Sequence, residues 1–155
     1  MKWTRRGFLR SSSVIALLSL MARAGLLPSY ALADISNRAG FDAKSLDELL
    51  KTLGAGKPEQ SDQVILTGPE IAENGAVVSL EISSKLANTE SIAILIEKNP
   101  NTLAASFFVA PGTVPDIQTR VKMAETCDVY ALVKANGKFY YAVKEIKVTI
   151  GGCGG

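Results

Sequence analysis

The run Val129-Tyr-Ala-Leu-Val-Lys-Ala-Asn-Gly-Lys-Phe-Tyr-Tyr-Ala-Val-Lys144 decides the fold of this 155-residue chain. At its centre, Asn136-Gly137 is typical of a two-residue hairpin turn, because both residue types tolerate positive φ. Apolar side chains alternate on either side of this turn, at Val129, Ala131 and Val133 before it and at Phe139, Tyr141 and Val143 after it. A period of two is the pattern of strands with one buried face, so the run predicts an antiparallel hairpin.

Short runs of the same kind extend outward from the hairpin, separated by turn residues about every 8 to 12 positions. The predicted strands are 63–67, 76–83, 92–97, 103–109, 117–124, 129–135, 138–144 and 147–150. Asn74-Gly75 predicts a second positive-φ turn, and prolines interrupt the chain where a central strand could not continue, at Pro100, Pro111 and Pro115. Short strands without alternating helices favour an all-β fold, an immunoglobulin-like antiparallel β-sandwich, with a barrel as the alternative.

One short helix is predicted before the strands, over residues 41–53. Its leucines follow the i, i+3, i+4, i+7 spacing of one helical face, at Leu46, Leu49, Leu50 and Leu53. Ser45 with Glu48 three residues later forms a capping box, and Gly54 accepts the left-handed conformation that ends a helix. We expect the leucines to pack on the sheet.

The first 33 residues are predicted to be an export signal. Thr4-Arg-Arg-Gly-Phe-Leu-Arg10 is a twin-arginine pattern, and Ala31-Leu-Ala33 supplies the small residues of a cleavage site. The apolar stretch between them, 14–27, is shorter than the roughly 20 residues of a membrane span, which disfavours the alternative of a membrane anchor. The predicted divisions are a twin-arginine signal peptide at 1–33, a β-sandwich domain at 34–150 and an arm at 151–155.

After removal of the signal, 12 Lys and Arg stand against 15 Asp and Glu, a net charge of about −3. This balance offers no basic stripe for nucleic acid. The chain has no histidine, and no carboxylate cluster accompanies either cysteine, so a bound metal is poorly supported. Because the twin-arginine route exports folded proteins, often with a bound partner, we expect a periplasmic location and a second subunit folded against this one.

The C-terminal arm carries the candidate functional residue, Cys153. The four glycines around it leave no side chain to pack the arm down, and glycine loses much conformational entropy on ordering, so we expect a flexible arm: Gly151, Gly152, Gly154 and Gly155. Extended, the five residues reach about 16 to 18 Å, enough to enter a cleft in another protein. The terminal carboxylate opposes ionisation of the thiol, so we interpret Cys153 as a substrate of other proteins. A disulfide to another chain, or an end without function, is the alternative.

The second cysteine, Cys127, lies between two predicted strands. A cysteine there is most often a small buried hydrophobe with an inert thiol. The alternative is a reversible disulfide to Cys153, which requires the arm to fold back until the two α-carbons lie within about 7 Å. An enzyme in its own right is the weakest interpretation, since no base stands beside a nucleophile.

Two segments closely resemble the SoxY family, the sulfur-carrying subunits of the periplasmic thiosulfate-oxidising complex. They are Pro111-Gly-Thr-Val-Pro-Asp-Ile-Gln-Thr-Arg-Val-Lys-Met-Ala-Glu-Thr126 and Lys147-Val-Thr-Ile-Gly-Gly-Cys-Gly-Gly155. The signal peptide and Ala72-Glu-Asn-Gly75 are also similar to that family. The resemblance covers nearly the whole chain, and the terminal Gly-Gly-Cys-Gly-Gly is its most specific element.

The resemblance implies an immunoglobulin-like fold, a heterodimer with SoxZ, and sulfur held covalently on Cys153 without a cofactor. In the family, the haem protein SoxXA oxidatively joins thiosulfate to this cysteine, and SoxB hydrolyses off the terminal sulfone as sulfate. A sulfane dehydrogenase, SoxCD, oxidises the remaining sulfur where it is present. The chain is then a carrier and not an enzyme. Cys127 departs from the family pattern, in which serine is usual. The competing function is an adaptor whose terminal cysteine makes a structural link to a partner.

Overall fold

The computed structural model describes residues 38–150, so the predicted signal peptide and arm lie outside the described part. A 3-10 helix at Arg38–Asp42 and helix α1 at Leu46–Thr52 precede the strands. The strands are β1 Glu59–Gln60, β2 Val64–Thr67, β3 Ile71–Ala72, β4 Val78–Ser84, β5 Thr89–Ile96, β6 Leu103–Phe108, β7 Asp116–Val121, β8 Cys127–Ala135 and β9 Lys138–Val148. In this part of the chain, no helix is long and apolar enough to cross a membrane.

The strands form two sheets. The larger has the order β1-β9-β8-β5-β6, with β3 also paired to β9, and the smaller has the order β2-β4-β7. The long pairings are antiparallel, whereas the two-residue strands β1 and β3 run parallel to β9. The described chain is thus an all-β, immunoglobulin-like sandwich with one short α-helix, as predicted, and the two separate sheets exclude the barrel.

The main core lies between the two sheets. It is built by alternate side chains of the central strands, each at most 3% exposed: Val78, Leu80, Ile82, Ile92, Ile94, Ile96, Val129, Ala131, Val133 and Ile146. Burial of each larger side chain contributes about 1.5 to 3 kcal/mol relative to its exposure. This layer fixes the register of β8 and β9, since a slip by one residue would turn the apolar set to the other face.

The hairpin predicted at Asn136-Gly137 is confirmed. The φ angles of the two turn residues are 51° and 72°, the two positive values that a type I′ turn requires. In the register of β8 and β9, Val129 lies opposite Lys144, Ala131 lies opposite Ala142, and Val133 lies opposite Tyr140. The predicted single apolar face was therefore wrong, because Phe139, Tyr141 and Val143 point to the opposite face of the sheet.

Helix α1 explains why that opposite face is also apolar. Leu49 is fully buried against the outer face of the larger sheet, in a second cluster with Ala93, Leu95, Leu103 and Leu132. The predicted packing of the helix on the sheet is therefore confirmed. Ser45 accepts a hydrogen bond from the Glu48 N–H at 3.3 Å, and Gly54, at φ 66°, ends the helix, both as predicted. The Glu48 carboxylate accepts a hydrogen bond from the Lys44 N–H at 2.9 Å, whereas a standard capping box uses the N–H of the N-cap residue, here Ser45.

Three local expectations were wrong and two short strands were missed. The α-helix begins at Leu46 and not at residue 41, because Ser45 caps it and residues 38–42 form a separate 3-10 helix. The predicted strands 138–144 and 147–150 are one continuous strand, because Ile146 pairs with Cys127 and stays fully buried between them. Strands β1 and β3 were missed, since two residues are too few to show a period. Gly75 is not among the positive-φ glycines of residues 38–150; instead the Asn74 side chain accepts from the Ala76 N–H at 2.8 Å, an Asx turn.

Candidate functional site

Strand β9 leads directly to the predicted arm. Its backbone hydrogen bonds continue past Val148 to Ile150, the last described residue. Residues 148–150 are called the arm root below. Cys153 and the glycines at 151, 152, 154 and 155 lie outside the described residues, and Cys153 is three positions beyond Ile150.

The chain segment 70–75, called the clamp below, runs beside the end of β9. Four hydrogen bonds join the two: Lys147 N–H to Glu70 O at 3.0 Å, Thr149 N–H to Ala72 O at 3.1 Å, the Thr149 hydroxyl to Glu73 O at 2.8 Å, and Gly75 N–H to Ile150 O at 2.8 Å. Three of these four involve the sequence Ala72-Glu-Asn-Gly75, which the family resemblance had singled out. The clamp therefore holds the arm root to the sheet through backbone groups.

Thr126 holds the arm root from the other side. Its hydroxyl oxygen accepts from the Val148 N–H at 2.9 Å, and the hydroxyl lies 3.5 Å from the Val148 carbonyl oxygen. The preceding segment is tied to the clamp, because the Met123 N–H donates to Gly75 O at 2.7 Å. The Asn99 side chain in turn fixes that segment: its amide N–H donates to the Lys122 carbonyl oxygen at 2.8 Å, and its amide oxygen accepts from the Ala124 N–H at 2.9 Å. The arm root is thus hydrogen-bonded on both flanks.

Lys144 and Gly68 set the position where the clamp begins. The Lys144 ammonium, on the inner side of β9, donates to Gly68 O at 2.7 Å. An added Cβ at Gly68 would lie 2.8 Å from Leu80 Cδ2, so a larger residue here would require the buried Leu80 side chain to shift. The loop into the clamp is therefore fixed by packing and by a charge-assisted hydrogen bond.

Cys127 is buried, as expected for a small hydrophobe. Its side chain is 5% exposed in the core, opposite Ile146 on β9. Desolvation raises the pKa of the Cys127 thiol above its usual value, outweighing the opposing effect of the Lys98 backbone N–H. The thiolate is the reactive form, so Cys127 is a poor nucleophile in the folded chain. A disulfide to Cys153 would require this part of the core to open.

No metal centre accompanies these groups. Within residues 38–150, no group of three or more His, Cys, Asp or Glu side chains stands close enough to hold a metal ion. The charged side chains at the root and clamp carry both signs, with Glu70 and Glu73 near Lys147. The described groups around the arm root therefore position the chain, mainly through hydrogen bonds to backbone atoms.

The family model described as "Sulfur oxidation protein SoxY" matches residues 49–153. This chain belongs to the SoxY family. Its structure is similar to that of the sulfur carrier protein SoxY from Chlorobium limicola f thiosulfatophilum, with 36% sequence identity and a TM-score of 0.61. That match covers 67% of this chain and 94% of the other. Membership of the SoxY family gives the chain a role in sulfur oxidation among the protein partners of the Sox system.

Other comparisons add little. A superoxide reductase (neelaredoxin) from Ignicoccus hospitalis matches with 19% identity and a TM-score of 0.48, over 67% of this chain and 92% of that one. A likeness at this level carries no inference about function. Comparison with curated proteins gave no match.

Sequence reasoning missed Thr126 and the contacts of the clamp. Backbone groups make most of the clamp contacts, and their partners depend on tertiary register, which residue types do not reveal. The similarity of residues 72–75, 111–126 and 147–155 to the SoxY family was the sequence signal that pointed to this part of the molecule, although it did not single out the hydroxyl of Thr126.

Proposed function

We propose that this SoxY-family chain is a covalent carrier of sulfur intermediates in thiosulfate and sulfur oxidation, with the cargo on Cys153. The observation that best supports the proposal is the arm root. A hydrogen-bonded framework extends to Ile150, and only two glycines, Gly151 and Gly152, separate Ile150 from Cys153. The family match also ends at Cys153, and the similar SoxY from Chlorobium is named a sulfur carrier protein.

In this proposal the chain supplies a thiol and its partners supply the chemistry. The Cys153 thiolate and thiosulfate join through a new sulfur–sulfur bond to give Cys153–S–S–SO₃⁻, and two electrons pass to the haem protein SoxXA. SoxB then hydrolyses off the terminal sulfone as sulfate. SoxCD, where present, oxidises the sulfur that remains on the arm. Cys153 is therefore the substrate of the Sox enzymes and this chain is not itself an enzyme.

The burial of Cys127 supports this assignment of roles. A carrier in an oxidising compartment needs one accessible thiol, since a second one nearby would compete for cargo or form a disulfide. Cys127 is 5% exposed and its pKa is raised, so it does neither while the core is closed. Cys153 is left as the attachment point.

The remaining parts of the proposal concern partners and location. The chain is exported to the periplasm by the twin-arginine route as a heterodimer with SoxZ, and it holds no resident cofactor or metal. It binds neither nucleic acid nor, after signal cleavage, a membrane. Metal analysis of the protein purified from periplasm, together with its subunit composition, tests these statements.

The central test is an intact-mass spectrum of the mature protein from thiosulfate-grown cells, before and after reduction, with the adduct mapped to its peptide. We expect thiosulfonate or additional sulfur on the Cys153 peptide, removed by reductant. Cys153→Ser should lose the adduct while its heterodimer stays intact, and Cys127→Ser, the matched control, should keep the adduct. A bare Cys153, or one permanently linked to another chain, would contradict the carrier and favour the structural adaptor.

A further inference from the structure

We infer that a pocket on the outer face of the larger sheet, beside α1, receives an arginine side chain of the second subunit. This cavity, called the tyrosine pocket below, has a volume of about 390 Å³, and its apolar lining is Leu46, Leu50, Leu95, Leu132, Tyr130 and Tyr141. The inference rests on the heterodimer in the proposed function and deepens it, because it names the surface that binds the second subunit and the side chain that this surface accepts.

The pocket exists because α1 covers only part of the outer face of the sheet. Leu49 is fully buried against the sheet, whereas Leu46 and Leu50 are only partly buried and form the helical wall of the pocket. Leu95 and Leu132, at most 3% exposed, belong to the same cluster and form its floor. An apolar recess of this size with a few polar groups at its edge is typical of a binding site.

Tyr130 and Tyr141 give the pocket an aromatic side. They lie on the neighbouring strands β8 and β9, with ring centroids 6.0 Å apart and ring planes tilted by 48°. The face of an aromatic ring carries negative charge, so a cation within about 6 Å of the ring centroid is attracted to it. Two rings that line one cavity therefore favour a cation inside it.

Three carboxylates beside the pocket favour a cation further. Glu97, Asp128 and Glu145, called the acidic row below, are neighbours across the sheet: the Glu97 N–H donates to Asp128 O at 3.2 Å, and Asp128 pairs with Glu145. Asp128 is two residues before Tyr130 on β8, so both side chains lie on the same face. Burial raises the pKa of the Tyr130 hydroxyl, and the charges of Asp128 and Glu97 raise it further.

The charge of the acidic row is not cancelled by nearby lysines. Within residues 38–150, the two ion pairs use Glu90 and Glu125, so neither engages the row. Asp47 and Lys57 are the charged side chains of the pocket lining, and Lys147 lies two residues beyond the row on β9. Asp47 and the row thus set four carboxylates against two ammonium groups, and this surface suits a basic partner.

Arginine is the side chain that matches all of these features. Its aliphatic stem can pack along the leucines while its charged end stays at the edge of the pocket. Its planar guanidinium stacks on aromatic rings and forms strong hydrogen bonds with a carboxylate such as Asp47. Lysine matches less well, because its compact ammonium is strongly hydrated. Arginine is also enriched among the residues that contribute most to binding at protein interfaces.

The position of the pocket indicates a lasting partner. Tyr141 is nine residues before Ile150, about 30 Å along an extended chain at roughly 3.3 Å per residue. Cys153 is three residues after Ile150, so its α-carbon stays within about 10–11 Å of that of Ile150. A side chain in the tyrosine pocket therefore does not have to leave when an enzyme takes the arm. This arrangement fits the second subunit better than it fits a transient enzyme.

The main test measures how fast the intact heterodimer exchanges its second subunit for a labelled copy. Tyr130→Leu keeps an apolar side chain but removes one ring, and we expect dissociation to become about tenfold faster. Tyr130→Phe is the matched control, because it keeps the ring and loses only the hydroxyl. Its dissociation rate should stay within about twofold of the wild-type rate.

A charge substitution tests the acidic row. Asp128→Asn should slow reassociation of the diluted heterodimer about threefold at low salt, and this difference should shrink at high salt because ions screen the carboxylate. Asp116→Asn is the matched control, since Asp116 is an exposed aspartate of β7 in the smaller sheet. It should change the reassociation rate by less than about twofold.

A second measurement uses only the wild-type heterodimer and does not depend on the folding of a variant. Phenylglyoxal modifies accessible guanidinium groups, and peptide mapping locates the modified residues. We expect an arginine of the second subunit to be protected in the intact heterodimer and modified after dissociation.

The outcomes separate the tyrosine pocket from the proposed function. A protected arginine together with faster dissociation of Tyr130→Leu supports the pocket. Dissociation of Tyr130→Leu at the wild-type rate overturns it, and so does modification of every arginine of the second subunit in the intact heterodimer. Either result leaves the carrier standing, because the adduct on Cys153 is measured separately by intact mass. Purification of the chain without a second subunit would instead overturn the proposed heterodimer.

Discussion

Substitution of Thr126 by valine should loosen the arm root selectively. Valine keeps the size of threonine but removes the oxygen that accepts from the Val148 N–H at 2.9 Å. The second contact, at 3.5 Å to the Val148 carbonyl oxygen, is too long to contribute much. The main cost is therefore one unpaired backbone donor.

The size of the effect follows from the partial burial of this group. A fully buried donor left unpaired costs about 1–3 kcal/mol, and Val148 is half-buried, so we expect about 1–2 kcal/mol. That range corresponds to a roughly 5- to 30-fold increase in the local opening constant. Fraying of residues 148–150 would also lengthen the segment between the last fixed residue and Cys153.

Native-state amide hydrogen exchange measures this opening residue by residue. The protection of the Val148 amide should fall roughly 5- to 30-fold in Thr126→Val, and amides in the middle of β8 should change much less. Thr126→Ser keeps the hydroxyl and should restore Val148 protection to within about threefold of wild type. Equal protection of Val148 in the valine variant and the wild type would refute the assigned role of Thr126.

Three further outcomes are expected. Thr102→Val should leave the free energy of unfolding in urea unchanged or raise it, because the buried Thr102 hydroxyl has no hydrogen-bond partner; a loss above about 1 kcal/mol would contradict this. The Gly137 N–H lowers the pKa of Glu90, so this carboxylate should stabilise the fold above its unfolded pKa and lose that effect as pH falls through the folded value. Urea melts of Glu90→Gln should lack this part of the acid sensitivity, and an identical pH profile would argue against it. A thiol reagent should modify Cys153 rapidly in the folded protein and Cys127 only after denaturation, and fast modification of both would disprove the closed core.

The sequence predicted the longer strands because each buries alternate side chains, which leaves a period of two in the chain. The hairpin at Asn136-Gly137 was equally predictable, since its positive φ angles select those residue types. The facing of Tyr141 was not predictable from β9 alone, because α1 makes the outer face of the sheet apolar as well. A strand covered on both sides loses the contrast that identifies one buried face.

The candidate site was also only partly predictable from the sequence. Cys153 was predicted as the attachment point from its four glycine neighbours, a local feature of the sequence, and it stays a prediction because it lies outside residues 38–150. The clamp was not identified, because Glu70, Ala72 and Gly75 act through backbone groups that any residue possesses.

A short C-terminal arm needs a fixed starting point, and the end of strand β9 supplies one. A tether of two glycines places Cys153 usefully only if its origin is fixed, since otherwise uncertainty in the root adds to that of the arm. Strand β9 meets this need: it is the longest strand of residues 38–150, it pairs along its length with β8, and near its end it gains the parallel β3 and the Thr126 contact. The hydrogen bonds from Gly75 to Ile150 and from Met123 to Gly75 extend this support to the last described residue. If Cys153 carries the cargo, as proposed, the fixed position of Ile150 limits the position of Cys153 to the reach of Gly151 and Gly152, which is the physical advantage of an attachment point so close to the end of the sheet.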